Sequence, residues 1–161
     1  LIHEGKIVKK ENDTYCTIEV AFKDIDIDVF LELINNILIT DSRVHYLPFL
    51  SQQINRIKNS TISSQYFISL IIAYAKLKGW YIRGYLAAAK PFKFTGISDA
   101  IRNAPKGLSD EDLIGWVLQK ISTDRISIKR AIYYFRLERK NNSVNNHEKG
   151  LAWDILQDLF V

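Results

Sequence analysis

Apolar side chains recur at intervals of three and four residues along most of the chain, the spacing that places them on one face of a helix. On this basis we predict helices over residues 29–39, 44–57, 65–78, 80–89, 109–121, 126–140 and 151–160, with a shorter one over 99–103. Pro48 interrupts the second segment, so that helix either begins near it or is kinked by it. The segment 65–78 is apolar on nearly every side and is followed by Gly79, which predicts a central helix with a defined end.

The first 23 residues follow a different pattern. Two strand-like runs, 5–10 and 14–22, flank a polar turn at 11–13, which predicts a β-hairpin. An isolated hairpin is marginal in water, so it must pack on the helices or pair with further strands. We therefore predict a mainly α, compact multi-helix domain with a small β-hairpin appendage at 1–23. The alternative is an α+β fold, in which the hairpin joins more strands.

Length and composition indicate one globular domain over 1–161. The 161 residues are 47% hydrophobic and 25% charged, which is ordinary for a folded domain. The chain begins at Leu1 and contains no Met, so we expect a piece of a longer protein. A single cysteine, Cys16, excludes an internal disulfide. No apolar run approaches the roughly 20 residues that a membrane span needs, so we expect an intracellular protein without a membrane partner.

The best-marked helix start is at Ser109. Asp112 stands three residues later, and Leu108 and Leu113 occupy the positions of a hydrophobic staple. Together with the following segment this predicts a helical hairpin over 109–140 that is similar to a helix-turn-helix. No glycine marks its turn and no wing hairpin follows it.

The second helix of that hairpin is basic and aromatic. Ile128, Ile132 and Phe135 form its predicted buried stripe. The candidate nucleic-acid contacts within 127–140 are Lys129, Arg130, Tyr133, Arg136, Arg139 and Lys140.

Two of these cations stand where a helix disfavours them. Lys129 and Arg130 fall in the first helical turn, where the helix dipole opposes positive charge but where added cations suit a phosphate. The competing explanation is a solvated helix face, with Asp124 or Glu138 as the compensating carboxylate. With a net charge of +4 and its excess in the second half, the chain is compatible with a polyanionic partner. The leading hypothesis is a non-catalytic domain that binds DNA or RNA.

A protein-interaction or assembly module cut from a larger protein is the alternative. Its partner would be another protein or the remainder of the parent chain. The candidate interface residues are Trp80, Tyr81, Arg83, Leu159 and Phe160, since aromatic residues and arginine often anchor interfaces.

The sequence indicates no metal, cofactor or catalytic residue. Asp24, Asp26 and Asp28 alternate, but the EF-hand pattern fails because Val29 stands where that loop needs glycine. The three histidines, at 3, 45 and 147, are too dispersed to suggest a ligand set. An enzyme remains a lesser alternative, because residues from distant segments can converge unseen.

Overall fold

The computed structural model describes residues 7–9 and 15–143. The helices are α1 (Ile18–Ala21), α2 (Ile27–Thr40), α3 (Leu47–Lys58), α4 (Ser64–Lys78), α5 (Ile97–Arg102), α6 (Asp110–Lys120) and α7 (Arg125–Ser143). The strands are β1 (Ile7–Lys9), β2 (Tyr15–Thr17), β3 (Val44–Tyr46), β4 (Tyr81–Arg83), β5 (Leu86–Ala88) and β6 (Ile121–Ser122). The predicted helix at 151–160, with Leu159 and Phe160, lies outside the described residues.

A four-stranded sheet in the order β4-β5-β3-β6 lies between two helical layers. Strand β3 is antiparallel to β5 and parallel to β6. Successive side chains of a strand point to opposite faces. Accordingly Leu86 and Ala88 are buried with α5–α7, whereas Ala87 between them is buried with α1–α4. The fold is therefore mainly helical, but its sheet is internal and has a hydrophobic core on each face.

The segment predicted as a helix over 80–89 is instead the hairpin β4–β5, and that prediction was wrong. Gly84 and Tyr85 form its two-residue loop, with Arg83 opposite Leu86. Gly84 has a φ of 56°, and Tyr85 has a negative φ, the pattern of a type II′ hairpin turn. Periodicity alone does not distinguish a short buried strand from a short buried helix.

The second predicted helix, 44–57, is divided between a strand and a helix. Residues 44–46 form β3, and α3 begins at Leu47 with Pro48 in its first turn, where proline is tolerated. Of the two alternatives, the helix that begins near Pro48 is correct. The short helix α5 likewise differs from its prediction, since it begins at Ile97 after Gly96 and contains Ser98 rather than being capped by it.

Helix α4 has the predicted bounds within one residue. Ser63 caps its start, and Gly79 ends it with a φ of 74°. It is not buried on all sides, because Ile72 and Leu77 are exposed. The long apolar run thus predicted more burial for α4 than the structure shows.

At the amino terminus, β1 pairs antiparallel with β2, with Val8 opposite Cys16. The second strand ends at Thr17, five residues earlier than predicted, because Thr17 caps α1 through its hydroxyl and the amide of Val20. The main sheet is built from β3–β6, segments that the sequence analysis assigned to helices and turns.

The turn at Gly84 gives the first testable prediction. A Cβ added there would lie 2.8 Å from the carbonyl oxygen of Thr95, in addition to the strain of a positive φ. We expect Gly84→Ala to lower the free energy of unfolding by about 2 kcal/mol or more, measured by urea denaturation.

Gly115→Ala is the matched control. Gly115 is exposed within α6, and an added Cβ meets nothing within 4 Å. Alanine there is expected to stabilise the protein by about 0.5–1 kcal/mol. Equal effects of the two substitutions would contradict the assigned turn.

Candidate nucleic-acid interface

Both helices of the 109–140 segment begin at a side-chain cap. The hydroxyl of Ser109 accepts from the amide of Asp112 at 3.1 Å and donates to its carboxylate at 2.6 Å, which confirms the predicted start of α6. Asp124 caps α7 by accepting from the amide and the hydroxyl of Ser127, both at 2.7 Å. Burial opposes the ionisation of Asp124, but these hydrogen bonds outweigh it and lower its pKa. An anionic cap therefore stands one turn before Lys129 and Arg130, where the sequence analysis placed a compensating charge.

Three ion pairs fix α7 against its neighbours. Arg125 pairs with Glu111, and Arg136 with Asp110, both from the first turn of α6. Glu138 pairs with Arg102 of α5 at 3.1 Å.

The two pairs to α6 define how the helices meet. Arg125 and Arg136 are about 16 Å apart along α7, yet their partners are adjacent residues of α6. The start of α6 therefore lies across the middle of α7. Arg136, one of the six predicted contact residues, is already engaged with Asp110.

The outer face of α7 carries two cations, Lys129 and Arg130, which are exposed and form no ion pair within the part of the chain that the structure describes. As predicted, Ile128 and Ile132 are buried and Phe135 is half-buried. Arg139 is exposed beyond this buried stripe, on the side of α7 opposite Arg130, and its guanidinium lies 4.8 Å from the ring centroid of Phe135.

Two tyrosines lie among these cations. Tyr133 and Tyr134 are exposed, and their ring centroids are 5.9 Å apart at an interplanar angle of 72°. Both rings present surface on which a base can stack. The structure thus brings the predicted residues 129, 130, 133 and 139 onto one exposed helix, with Lys140 following on its last turns.

A groove beside this face went unrecognised in the sequence. It has a volume of about 700 Å³ and lies between α7 and the segment 101–108 that joins α5 to α6. Its lining includes the apolar residues Ile101, Leu108, Leu113 and Phe135 and the cations Arg102, Lys106, Arg136, Arg139 and Lys140. No carboxylate is among the described residues that line it. The sequence shows Lys106 in a Pro-Lys-Gly turn, but nothing in the sequence places that turn beside residues 133–140.

The predicted interface residues of the β4–β5 hairpin do not form one patch. Trp80 is buried and donates through Nε1 to the Asn35 side chain at 2.9 Å, so it is a core residue. Tyr81 is exposed, and Arg83 donates to the carbonyl of Lys93 at 3.0 Å.

Two of the alternating aspartates, Asp26 and Asp28, lie at the start of α2. Asp26 caps α2 by accepting from the amide of Asp28 at 3.1 Å. Within residues 7–9 and 15–143, no cluster of three His, Cys, Asp or Glu side chains suits a metal ion.

His45 is the one described histidine, and it is buried in β3. Its Nε2 lies 3.1 Å from the Asp41 carbonyl oxygen, and its Nδ1 has no hydrogen-bond partner among the described residues. Burial lowers its pKa and outweighs the opposing effect of Asp41. The carboxylate of Asp41 is itself held by Arg43 at 2.6 Å, which lowers the pKa of Asp41. Burial thus disfavours the protonated form of His45 in the fold.

Comparison of the chain with protein-family models, with curated proteins and with solved structures finds no match in any of the three. No helix in the described part of the chain is long and apolar enough to cross a bilayer.

Burial of His45 predicts a pH-dependent stability. In the unfolded chain this imidazole titrates near its usual pKa of about 6.5, whereas in the fold it titrates lower. Between the two pKa values the unfolded state binds the extra proton, so the free energy of unfolding falls as the pH decreases below about 6.5. The loss is at most about 1.4 kcal/mol per pH unit.

Urea denaturation between pH 5 and 8 measures this loss. His45→Gln keeps a donor toward Asp41 and removes the titration, so its stability is expected to vary less over that range. The double variant His3→Gln, His147→Gln is the control and should retain the dependence of the parent. Parallel curves for the parent and His45→Gln would contradict the assignment to His45.

Proposed function

We propose that this chain is a non-catalytic nucleic-acid-binding module that contacts phosphates through the exposed face of α7. The observation that carries the proposal is the pair of exposed cations on this face, Lys129 and Arg130, which have no carboxylate partner among the described residues. They stand on a helix that has six basic residues and a single acidic one. Cations of this kind neutralise phosphates and release condensed counterions, which drives binding.

The paired and unpaired charges of α7 have different uses in this proposal. Arg125, Arg136 and Glu138 hold the helix in place through their ion pairs. The unpaired cations then project from a positioned helix and need not give up a carboxylate to bind a phosphate. Contacts of this kind position the protein on a nucleic acid without specifying its sequence.

The connection order of the first layer supports the same class of protein. From α2 the chain runs helix, strand, helix, helix and hairpin, and the last strand, β5, lies beside the first, β3. This is the order of a winged helix-turn-helix, although a shared fold does not by itself imply a shared function.

In that arrangement α4 would take the place of the recognition helix. Its exposed face instead includes the apolar Ile72 and Leu77, and β1 packs against it. The basic α7 is therefore the better candidate for contact with nucleic acid.

A protein-interaction module is the second candidate, and the same apolar residues favour it. Leu77 is 77% exposed and Ile72 is 49% exposed, beside the exposed Lys76. An interaction module would elute as a dimer or with a specific partner and would bind heparin weakly.

The double variant Lys129→Ala, Arg130→Ala tests the proposal. Removing two phosphate contacts is expected to weaken binding and to lower the slope of log affinity against log salt concentration by about 2 for a duplex. Fluorescence anisotropy with a labelled duplex and a labelled single strand at several salt concentrations measures both quantities.

Lys76→Ala, Lys78→Ala removes the same charge from α4 and is the matched control. If binding depends on phosphate contacts at α7, this variant should bind like the parent. If binding depends only on net charge, it should lose as much affinity as the α7 variant. If both double variants lose affinity equally, α7 is not the binding surface. Arg136→Ala is expected to weaken binding less than Arg130→Ala, since Arg136 is paired with Asp110.

A further inference from the structure

We infer that the ligand of this surface is single-stranded nucleic acid whose bases enter the groove between α7 and the segment 101–108. This inference depends on the proposed function and names its substrate class. The groove adjoins the exposed face of α7 at Tyr133, which lines the groove and lies one helical turn after Lys129.

The floor of the groove is suited to unpaired bases. It contains Ile101, Leu108, Leu113 and Phe135, and its volume of about 700 Å³ lies within the roughly 300–1,000 Å³ typical of ligand pockets. A duplex keeps its bases stacked inside and presents mainly phosphates and groove edges. An apolar cavity therefore has little to bind on a duplex, whereas a single strand can place a base in it.

The rim supplies the complementary charge from two sides. Lys106 projects from the 101–108 segment, and Arg139 and Lys140 from α7. The carboxylates that pair with Arg102 and Arg136 belong to Glu138 and Asp110, which do not line the groove. A phosphate backbone that follows the rim would thus meet cations. None of the described residues that line the groove carries a carboxylate.

Aromatic rings stand where the strand would enter. Tyr133 lines the groove and contacts Tyr134 at its outer edge. Phe135 lies beneath the Arg139 guanidinium. Aromatic rings interleaved with cations are the common elements of surfaces that bind single strands without sequence preference.

Two other clefts on the described surface fit an anionic strand less well. The cleft near Tyr46 is lined by Arg130 but also by the carboxylate of Asp99, and the cleft near His45 is lined by that of Asp41. Each is also about half the size of the groove.

Tyr133→Leu tests the inference, because it removes a stacking surface while preserving charge and apolar bulk. The probes are an oligothymidylate of about 12 nucleotides and a duplex of the same length. The parent is expected to bind the strand more tightly than the duplex. Tyr133→Leu should weaken strand binding roughly tenfold and leave duplex binding unchanged, since each stacked base contributes about that factor.

Tyr81→Leu is the matched control, since Tyr81 is exposed on β4 and lines neither the groove nor the clefts near Tyr46 and His45. It should bind both probes like the parent. If Tyr133→Leu does not fold by its melting curve, Lys106→Glu replaces it, and the same selective loss of strand binding is expected.

The outcomes separate this inference from the proposed function. If strand and duplex bind equally and Tyr133→Leu changes neither, the groove takes no base, while loss of binding in Lys129→Ala, Arg130→Ala would still support α7. If an acidic polyglutamate peptide binds as tightly as the strand, the groove is a general polyanion site and the inference is wrong. If neither nucleic acid binds at low salt, both proposals fail together.

Discussion

The parallel pairing of β3 with β6 is the constraint on which the placement of the candidate interface depends. Val44 pairs with Ile121, and both are buried in the second core. Since β6 follows α6 directly and precedes the cap of α7, two paired residues determine where α6 ends and where α7 begins. Arg43 reinforces this junction by donating to the Leu118 carbonyl of α6 at 2.8 Å. The second layer is thereby held to the first through the interior of the sheet.

With that junction fixed, the charges of α6 and α7 complete the arrangement. The acidic first turn of α6 satisfies its own helix dipole and also binds two arginines of α7. Each exposed pair contributes little stability, but two adjacent acids that reach cations three turns apart restrict how α6 crosses α7. Among the basic residues of α7, Arg125 and Arg136 therefore hold the helix in place. Lys129, Arg130 and Arg139 are the cations that a polyanion would meet.

The sequence predicted the features that depend on local chemistry. Ser109 caps α6, Gly79 ends α4, and Ile128 and Ile132 form the buried side of α7, because capping and helical periodicity involve residues within one or two turns. It did not predict β3–β6. Strands of two or three residues are too short to display alternation, and their pairing joins positions up to 77 residues apart. The hairpin at Gly84 was missed for the same reason, since its short apolar strands also fit a helical pattern.

The candidate site was predictable only as far as it lies on one helix. Residues 129 to 140 share α7, so their proximity in sequence groups them. The ion-pair partner of Arg136 and the groove cannot be predicted without knowing how α6 crosses α7. Asp110 and Lys106 lie outside α7 in sequence; Asp110 pairs with the charge of Arg136, whereas Lys106 adds a cation to the groove. Net charge is therefore a poor guide to the electrostatic character of this face. What decides it is which cations the tertiary structure pairs with a carboxylate, and that is determined by the same strand pairing that the sequence does not display.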